Sequence, residues 1–348
     1  MRLEVLLLCF YNFYGSYGRF AGSIEDCPSL EPRTSPPTNV RDLRPDDIKV
    51  VSSMGDRYTV SILAGFAARG IQGWSIFDIR TLFEYRGASF GGGGDAGFAT
   101  IPNMIKRYRP DIVGASVGEH LIEYCGDNRW LDHLNVAQSG ALIETLDYEV
   151  DLLMNAISYY PDVDFGNDWK LVNILIGYLD VCSSCKPEFY KDHTPEVFES
   201  LLSNALSRLR KELPKTLVNL SFGMFNIGEL IKRTNNQKYC QPLWFSTFQP
   251  NKFICECSSN KEDVETMAQV AEAYNEKLRN VANMYNALND PSFGVIYTPS
   301  PLNITSFPLN AFSNIDCLHL SVEGHEWAAK SVGCVEDAFS FPGRQAIA

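Results

Sequence analysis

The chain has no run of ~20 consecutive apolar residues, so no segment reads as a helix that spans a bilayer. An excess of positive charge is also missing. Against 42 acidic residues there are 30 basic ones, a formal net charge of −12, and such a surface repels a phosphate backbone or an anionic membrane on average. Nucleic acid is thereby excluded as a partner, and the plain reading of the charge is a solvated, soluble surface. No repeat of fixed period and no second core is visible, so the 348 residues are read as one large domain rather than two small ones. A second Cys-x-x-Cys knuckle is lacking too. Cys182-Ser183-Ser184-Cys185 is matched only by Cys255-Glu256-Cys257, whereas a structural zinc site wants two such knuckles, so disulfides are favoured and no metal or cofactor is expected.

What is present begins with Met1-Arg2-Leu3-Glu4-Val5-Leu6-Leu7-Leu8-Cys9-Phe10, one basic residue and an apolar run to about Tyr17, followed by Ala21, Gly22 and Ser23. That is a secretory signal-peptide pattern over residues 1–22, with an apolar first strand as the competing reading. Ten cysteines agree with an oxidising, extracellular destination. Removal of Cys9 leaves an odd number (Cys27, Cys125, Cys182, Cys185, Cys240, Cys255, Cys257, Cys317, Cys334), so at least one thiol is free or bridges to another molecule. The sequons at Asn219 and Asn303 fit the same route as glycosylation acceptors.

Residues 23–46, rich in Pro, Ser, Thr and Asp, read as an extended leader, with the folded domain over 47–340. Within it, short apolar strands are expected at Ile48–Met54, Ile112–Ser116, Leu134–Ala137, Leu171–Ile176, Thr216–Leu220 and Val295–Tyr297. Helical spacing lies between them at Ile101–Tyr108, Ala141–Tyr159, Pro195–Leu213 and Lys261–Leu288. The last shows one apolar face through Val264, Met267, Ala268, Ala271, Tyr274, Leu278, Val281, Met284 and Leu288. Strands alternating with helices predict an α/β fold, a three-layer, doubly wound parallel sheet, whose ligand site lies outside the carboxyl ends of the strands.

Four distant stretches carry the chemistry. Asp47-Ile48-Lys49-Val50-Val51-Ser52-Ser53-Met54-Gly55-Asp56-Arg57-Tyr58-Thr59 is a strand running into a Gly-Asp turn, and it displays residue 57 where nucleophiles stand. The glycines of Tyr85-Arg86-Gly87-Ala88-Ser89-Phe90-Gly91-Gly92-Gly93-Gly94-Asp95 let backbone N–H groups approach a developing negative charge; a flexible loop is the plainer reading. Leu175-Ile176-Gly177-Tyr178-Leu179-Asp180-Val181-Cys182 is another strand leading into a turn. In Asp316-Cys317-Leu318-His319, an acid three residues ahead of a histidine can fold back onto the imidazole and hold its tautomer.

Taken in order, these stretches resemble the SGNH/GDSL hydrolase superfamily, and most closely its phospholipase B lipases, whose first block reads Ile-Lys-Val-Val…Gly-Asp-Ser-Leu-Thr. The resemblance extends through Tyr85-Arg86-Gly87, Ile101-Pro102-Asn103, Leu134-Asn135-Val136-Ala137, Trp169-Lys170-Leu171, the cysteines at 182 and 185, and Asp316 to Ser321, covering roughly residues 45 to 332. It implies a flavodoxin-like sandwich, a serine nucleophile, an Asp-x-x-His pair, and an oxyanion hole of two backbone amides and an asparagine. By position, His319 is the general base and Asp316 its orienting acid, Gly93 is the oxyanion glycine to within one residue, and Cys317 is a disulfide cysteine. Two positions depart from the pattern: the nucleophile falls on Arg57 and the oxyanion asparagine on Leu179.

A guanidinium cannot surrender a proton to histidine and attack an acyl carbon. The expectation is therefore a secreted pseudo-lipase that binds a lipid, a fatty acid or a protein partner. The alternatives are an active phospholipase with another nucleophile and a purely structural module with a closed pocket.

Overall fold

The computed structural model describes residues 22–57, 83–121, 128–221, 223–224, 227–235, 237–240, 250–300, 307–332 and 334, with the backbone alone at 57, 250 and 253. Residues 1–21 of the expected signal peptide, Cys9 among them, and Thr59, Cys125 and Asn303 lie outside the described residues. The strands are β1 (Ile48–Arg57), β2 (Phe83–Glu84), β3 (His120–Leu121), β4 (Gln138–Ser139), β5 (Trp169–Leu175), β6 (Thr216–Leu220) and β7 (Phe293–Tyr297). The α-helices are α1 (Ile101–Lys106), α2 (Arg129–Asp132), α3 (Thr145–Ile157), α4 (Tyr178–Ser183), α5 (Pro187–Tyr190), α6 (Pro195–Glu212), α7 (Ile227–Thr234), α8 (Pro250–Ile254), α9 (Lys261–Ala287) and α10 (Val322–Val332).

Five strands form one parallel sheet in the order β4-β1-β5-β6-β7. Renumbered along the chain this is the flavodoxin-like order 2-1-3-4-5, which places the switch point between β1 and β5. Strands β5 and β6 are buried along their whole length, as strands covered on both faces must be, which is why their sequences read as nearly unbroken apolar runs. Helices α3, α6 and α9 pack side by side, α3 against β1 and α9 against β7. Thr194 caps α6 by accepting the N–H of Val197, with Pro195 in the first turn; Asn260 caps α9 through the N–H of Asp263.

The expected strand at Ile112–Ser116 reduces to isolated bridges, Val50 to Val113 and Gly93 to Ser116, and β4 begins just past the expected Leu134–Ala137. The buried face of α9 also turns from the predicted one near its end. Ala282 and Tyr285 are buried while Met284 and Leu288 are half-exposed, and the Tyr285 hydroxyl donates to the Ser203 carbonyl at 2.9 Å. Residues 23–46 are not a detached leader. Val40 and Leu43 join the core, the Val40 N–H donates to the Pro291 carbonyl at 2.7 Å, and Cys27 is bonded to Cys334.

Three further disulfides, Cys182–Cys255, Cys185–Cys257 and Cys240–Cys317, bear out the disulfide reading of the cysteines at 182, 185, 255, 257 and 317. The glycosylation expectation at Asn219 is corrected. That residue lies in the middle of β6, only 3% exposed, and its amide donates to Asn173 Oδ1 at 3.0 Å, so no glycan fits on the folded chain.

Gly55, at φ +116°, is where the crossing of β1 and β5 is tightest, and a Cβ there would collide with the Leu175 carbonyl. Both the left-handed backbone and the collision oppose a side chain. Gly55→Ala is expected to destabilise the protein by about 3 kcal/mol, measured by urea unfolding; a loss below about 1 kcal/mol would show that the strands part easily.

Candidate active site

Strand β1 ends at Arg57 between β4 and β5, with Asp56 opposite Gln138 and Arg57 opposite Ser139. The backbone at this end is held by carboxylates. Glu149 of α3 accepts the N–H of Gly55 at 2.6 Å and the N–H of Gln138 at 2.9 Å, so one side chain ties β1 to β4. Asp56 accepts the N–H of Tyr178 at 2.9 Å, with the amides of Gly177 and Leu179 also turned toward it, and thereby seats the start of α4. Burial pushes the Asp56 carboxyl up to about 7 despite those donors. The next residue in this strand, Arg57, thus stands at the carboxyl end of β1 beside the switch point; its side chain lies outside the described residues.

Leu179 sits in the first turn of α4, buried, with an apolar side chain where the oxyanion asparagine was expected. Gly93, expected as the oxyanion glycine, is engaged within its own loop. The Gly93 N–H donates to the Ser89 carbonyl at 2.8 Å, and a Cβ on Gly93 would strike the Gly87 carbonyl, so this glycine serves the packing of its own loop. The loop as a whole lies over the middle of the sheet: the Gly91 carbonyl accepts from Ser53 Oγ at 3.0 Å and from Asn173 Nδ2 at 2.9 Å. The glycine at the end of β1 is Gly140, φ +78°, which directly follows the Arg57–Ser139 pair. The resemblance pointed to the glycine run, and only the strand pairing shows that Gly140 lies beside position 57.

Asp316 and His319 are brought together as expected. Asp316 Oδ1 lies 3.1 Å from His319 Nδ1 and also accepts the N–H of Leu318 at 2.8 Å and of His319 at 3.0 Å. One carboxylate oxygen therefore shapes the loop and orients the ring, leaving Nε2 as the basic nitrogen. Its other oxygen, Oδ2, is buried and has no hydrogen-bond partner among the described residues. The Cys240–Cys317 disulfide pins the same loop.

Neither nearby hydroxyl on β1 is placed to replace a nucleophile: Ser53 donates to Gly91, and Ser52 is buried with its hydroxyl directed at the Leu171 carbonyl, 3.5 Å away. Behind Ser139 lies a buried ion cluster that the sequence did not announce. The Ser139 hydroxyl donates to Glu84 at 2.7 Å, Arg86 bridges Glu84 at 3.1 Å and Asp132 at 3.0 Å, and His120 meets Asp132 at 2.7 Å. Burial opposes a charge on His120, but the hydrogen bond and charge of Asp132 prevail and raise it to about 9.

A family profile described as GDSL-like Lipase/Acylhydrolase matches residues 63–332, starting after β1. The chain is 29% identical over 321 residues to "Phospholipase B1, membrane-associated" of Mus musculus, covering 88% of this chain and 20% of that protein. The Rattus norvegicus protein of the same name is 29% identical over 327 residues, covering 89% of this chain and 21% of its own length. The chain thus spans about a fifth of the length of these curated relatives. A solved acetyl-xylooligosaccharide esterase from Geobacillus Stearmophilus aligns over 86% of this chain and 97% of its own, at 14% identity and a TM-score of 0.40.

Asp56 makes a pH prediction. Its carboxyl ionises near 3.8 when unfolded and near 7 when folded, so between those values the folded chain holds a proton that the unfolded chain has released. Stability from this group is full below about pH 4 and is lost as pH rises to about 7, by at most ~1.4 kcal/mol per pH unit. Urea unfolding of the wild type and Asp56→Asn across that range should show the difference shifting in the variant's favour; a pH-independent difference would contradict it.

Proposed function

The chain belongs to the GDSL-like lipase/acylhydrolase family, and from that premise we propose that it is a secreted, phospholipase B-like member that has lost ester hydrolysis and instead binds a lipid or a protein partner. The carrying observation is Arg57 at the carboxyl end of β1, where the family's chemistry needs a hydroxyl. Guanidinium has a pKa above 12 and offers donors only, so it forms no acyl-enzyme. Loss of a triad serine removes on the order of 10⁶ in turnover. Leu179 removes an oxyanion donor as well, a further ~10² to 10³.

Asp316 and His319 persist, and that retention supports a pocket kept for binding. A guanidinium at position 57 supplies donors for the buried Asp316 Oδ2 or for the carboxylate or phosphate of a ligand, which makes the former nucleophile position an anion-recognition position. Four disulfides support passage through an oxidising compartment, and no helix among the described residues is long and apolar enough to cross a membrane.

Fluorophosphonate labelling and ester hydrolysis of the wild type, set beside Arg57→Ser with Leu179→Asn, test the proposal. The wild type should neither label nor turn over, and the double variant should label at residue 57. A labelled wild-type side chain would instead establish an active phospholipase or esterase with another nucleophile. Fatty acid and lysophospholipid titrated into the wild type should bind, and Arg57→Ala should weaken that binding; no binding would favour a closed, structural module.

A further inference from the structure

We propose that Glu144, Asp180 and His193 form a site for one divalent metal ion of the zinc class, behind the Leu179 corner and separate from the Asp316–His319 pair. One donor atom from each lies within 4.8 Å of the other two. His193 Nε2 is 3.1 Å from Glu144 Oε2 and 3.7 Å from Asp180 Oδ1. Ligand atoms bound at ~2.0–2.2 Å around a tetrahedral zinc ion stand on the order of 3.3 Å apart, so these spacings bracket the required one.

The histidine is oriented as metal ligands are. Its Nδ1 lies 2.9 Å from the Phe189 carbonyl, which places the proton on Nδ1 and turns the Nε2 lone pair to the two carboxylates. Stacking on Phe189, with ring centroids 3.8 Å apart, and the Tyr274 hydroxyl on the His193 carbonyl at 2.6 Å fix the ring and its backbone. With Nδ1 spent on the Phe189 carbonyl, Nε2 faces both carboxyl groups, the arrangement a shared cation would occupy.

Charge balance points the same way. Asp180 is fully buried; among the described residues its Oδ1 accepts a long bond of 3.4 Å from the Ile143 N–H and its Oδ2 has no hydrogen-bond partner. Among the described residues, neither Asp180 nor Glu144 pairs with a lysine or arginine. An imidazolium would cancel one of the two negative charges, whereas a dication bound to neutral His193 cancels both. The Glu144 side chain is 52% exposed and opens the site to solvent on that side. One imidazole nitrogen with two carboxylate oxygens suits a borderline ion such as Zn²⁺ better than Ca²⁺, which wants six or more oxygens. Bound there, the ion would join the loop after Gly140, the first turn of α4 and the segment before α6.

The site does not depend on whether position 57 supports hydrolysis. The test uses the full chain, stripped with a chelator and alkylated so that no thiol competes, then titrated calorimetrically with Zn²⁺ and with Ca²⁺. One Zn²⁺ per chain is expected, with a raised thermal midpoint and weak or no Ca²⁺ binding. Glu144→Gln, a surface change, should weaken Zn²⁺ by about 10-fold, and His193→Gln by about 100-fold, while Asp316→Asn leaves it unchanged. Absence of saturable Zn²⁺ binding by the wild type overturns the proposal. So does unchanged affinity in Glu144→Gln and His193→Gln, or loss of binding in Asp316→Asn, which would place the ion at the other histidine.

Discussion

Buried carboxylates that accept backbone N–H groups at the carboxyl edge of the sheet set the geometry of everything around position 57. A parallel ladder and a helix start both leave amide hydrogens without partners, which buried side chains must satisfy. Glu149 serves β1 and β4 together, Asp56 serves the start of α4, and Asp180 serves Ile143 on the loop after β4. Such anchoring is costly, since burial raises both Asp56 and Asp180 to about 7. In return it holds three chain segments at the switch point without any side chain from the reacting positions themselves.

A second layer keeps the glycine loop in place. Ser53, Asn173 and Asn219 lie in register across β1, β5 and β6, and their side chains bond along the sheet and up to the Gly91 carbonyl. From the other side, the Phe90 N–H donates to His325 of α10 at 3.3 Å. The loop is therefore structural filling between the sheet and the last helix, and its glycines answer to close packing. This is why the most conspicuous glycine run in the chain is not the one at the end of β1.

Chemically, the site divides into a kept half and a lost half. Asp316 and His319 retain the geometry of an acid orienting a base, and Asp316 also caps its own loop, so a structural duty alone would preserve it. On the proposed reading, Arg57 and Leu179 stand where a hydroxyl oxygen and an amide nitrogen would be needed, and neither side chain carries that atom.

The parallel sheet, the three long helices α3, α6 and α9 and the pairing of Asp316 with His319 were readable in the sequence, because apolar period and short motifs are local properties of a chain. The same locality misled at three places. Gly93 was carried over from the resemblance within a run of four glycines, whereas only strand pairing puts Gly140 beside Arg57; Asn219 satisfied a three-residue sequon, whereas its neighbours across the sheet bury it; and the polar stretch 23–46 hid Val40 and Leu43, which join the core, with the Val40 N–H bonded to the Pro291 carbonyl. The sequence by itself determined the fold class, the presence of arginine rather than serine at position 57 and the disulfide character of the cysteines. Tertiary structure alone decided which cysteines pair, which glycine adjoins the site, and that Glu144, Asp180 and His193 meet, because these depend on separations of tens of residues along the chain that only the packed sheet reduces to a few ångströms.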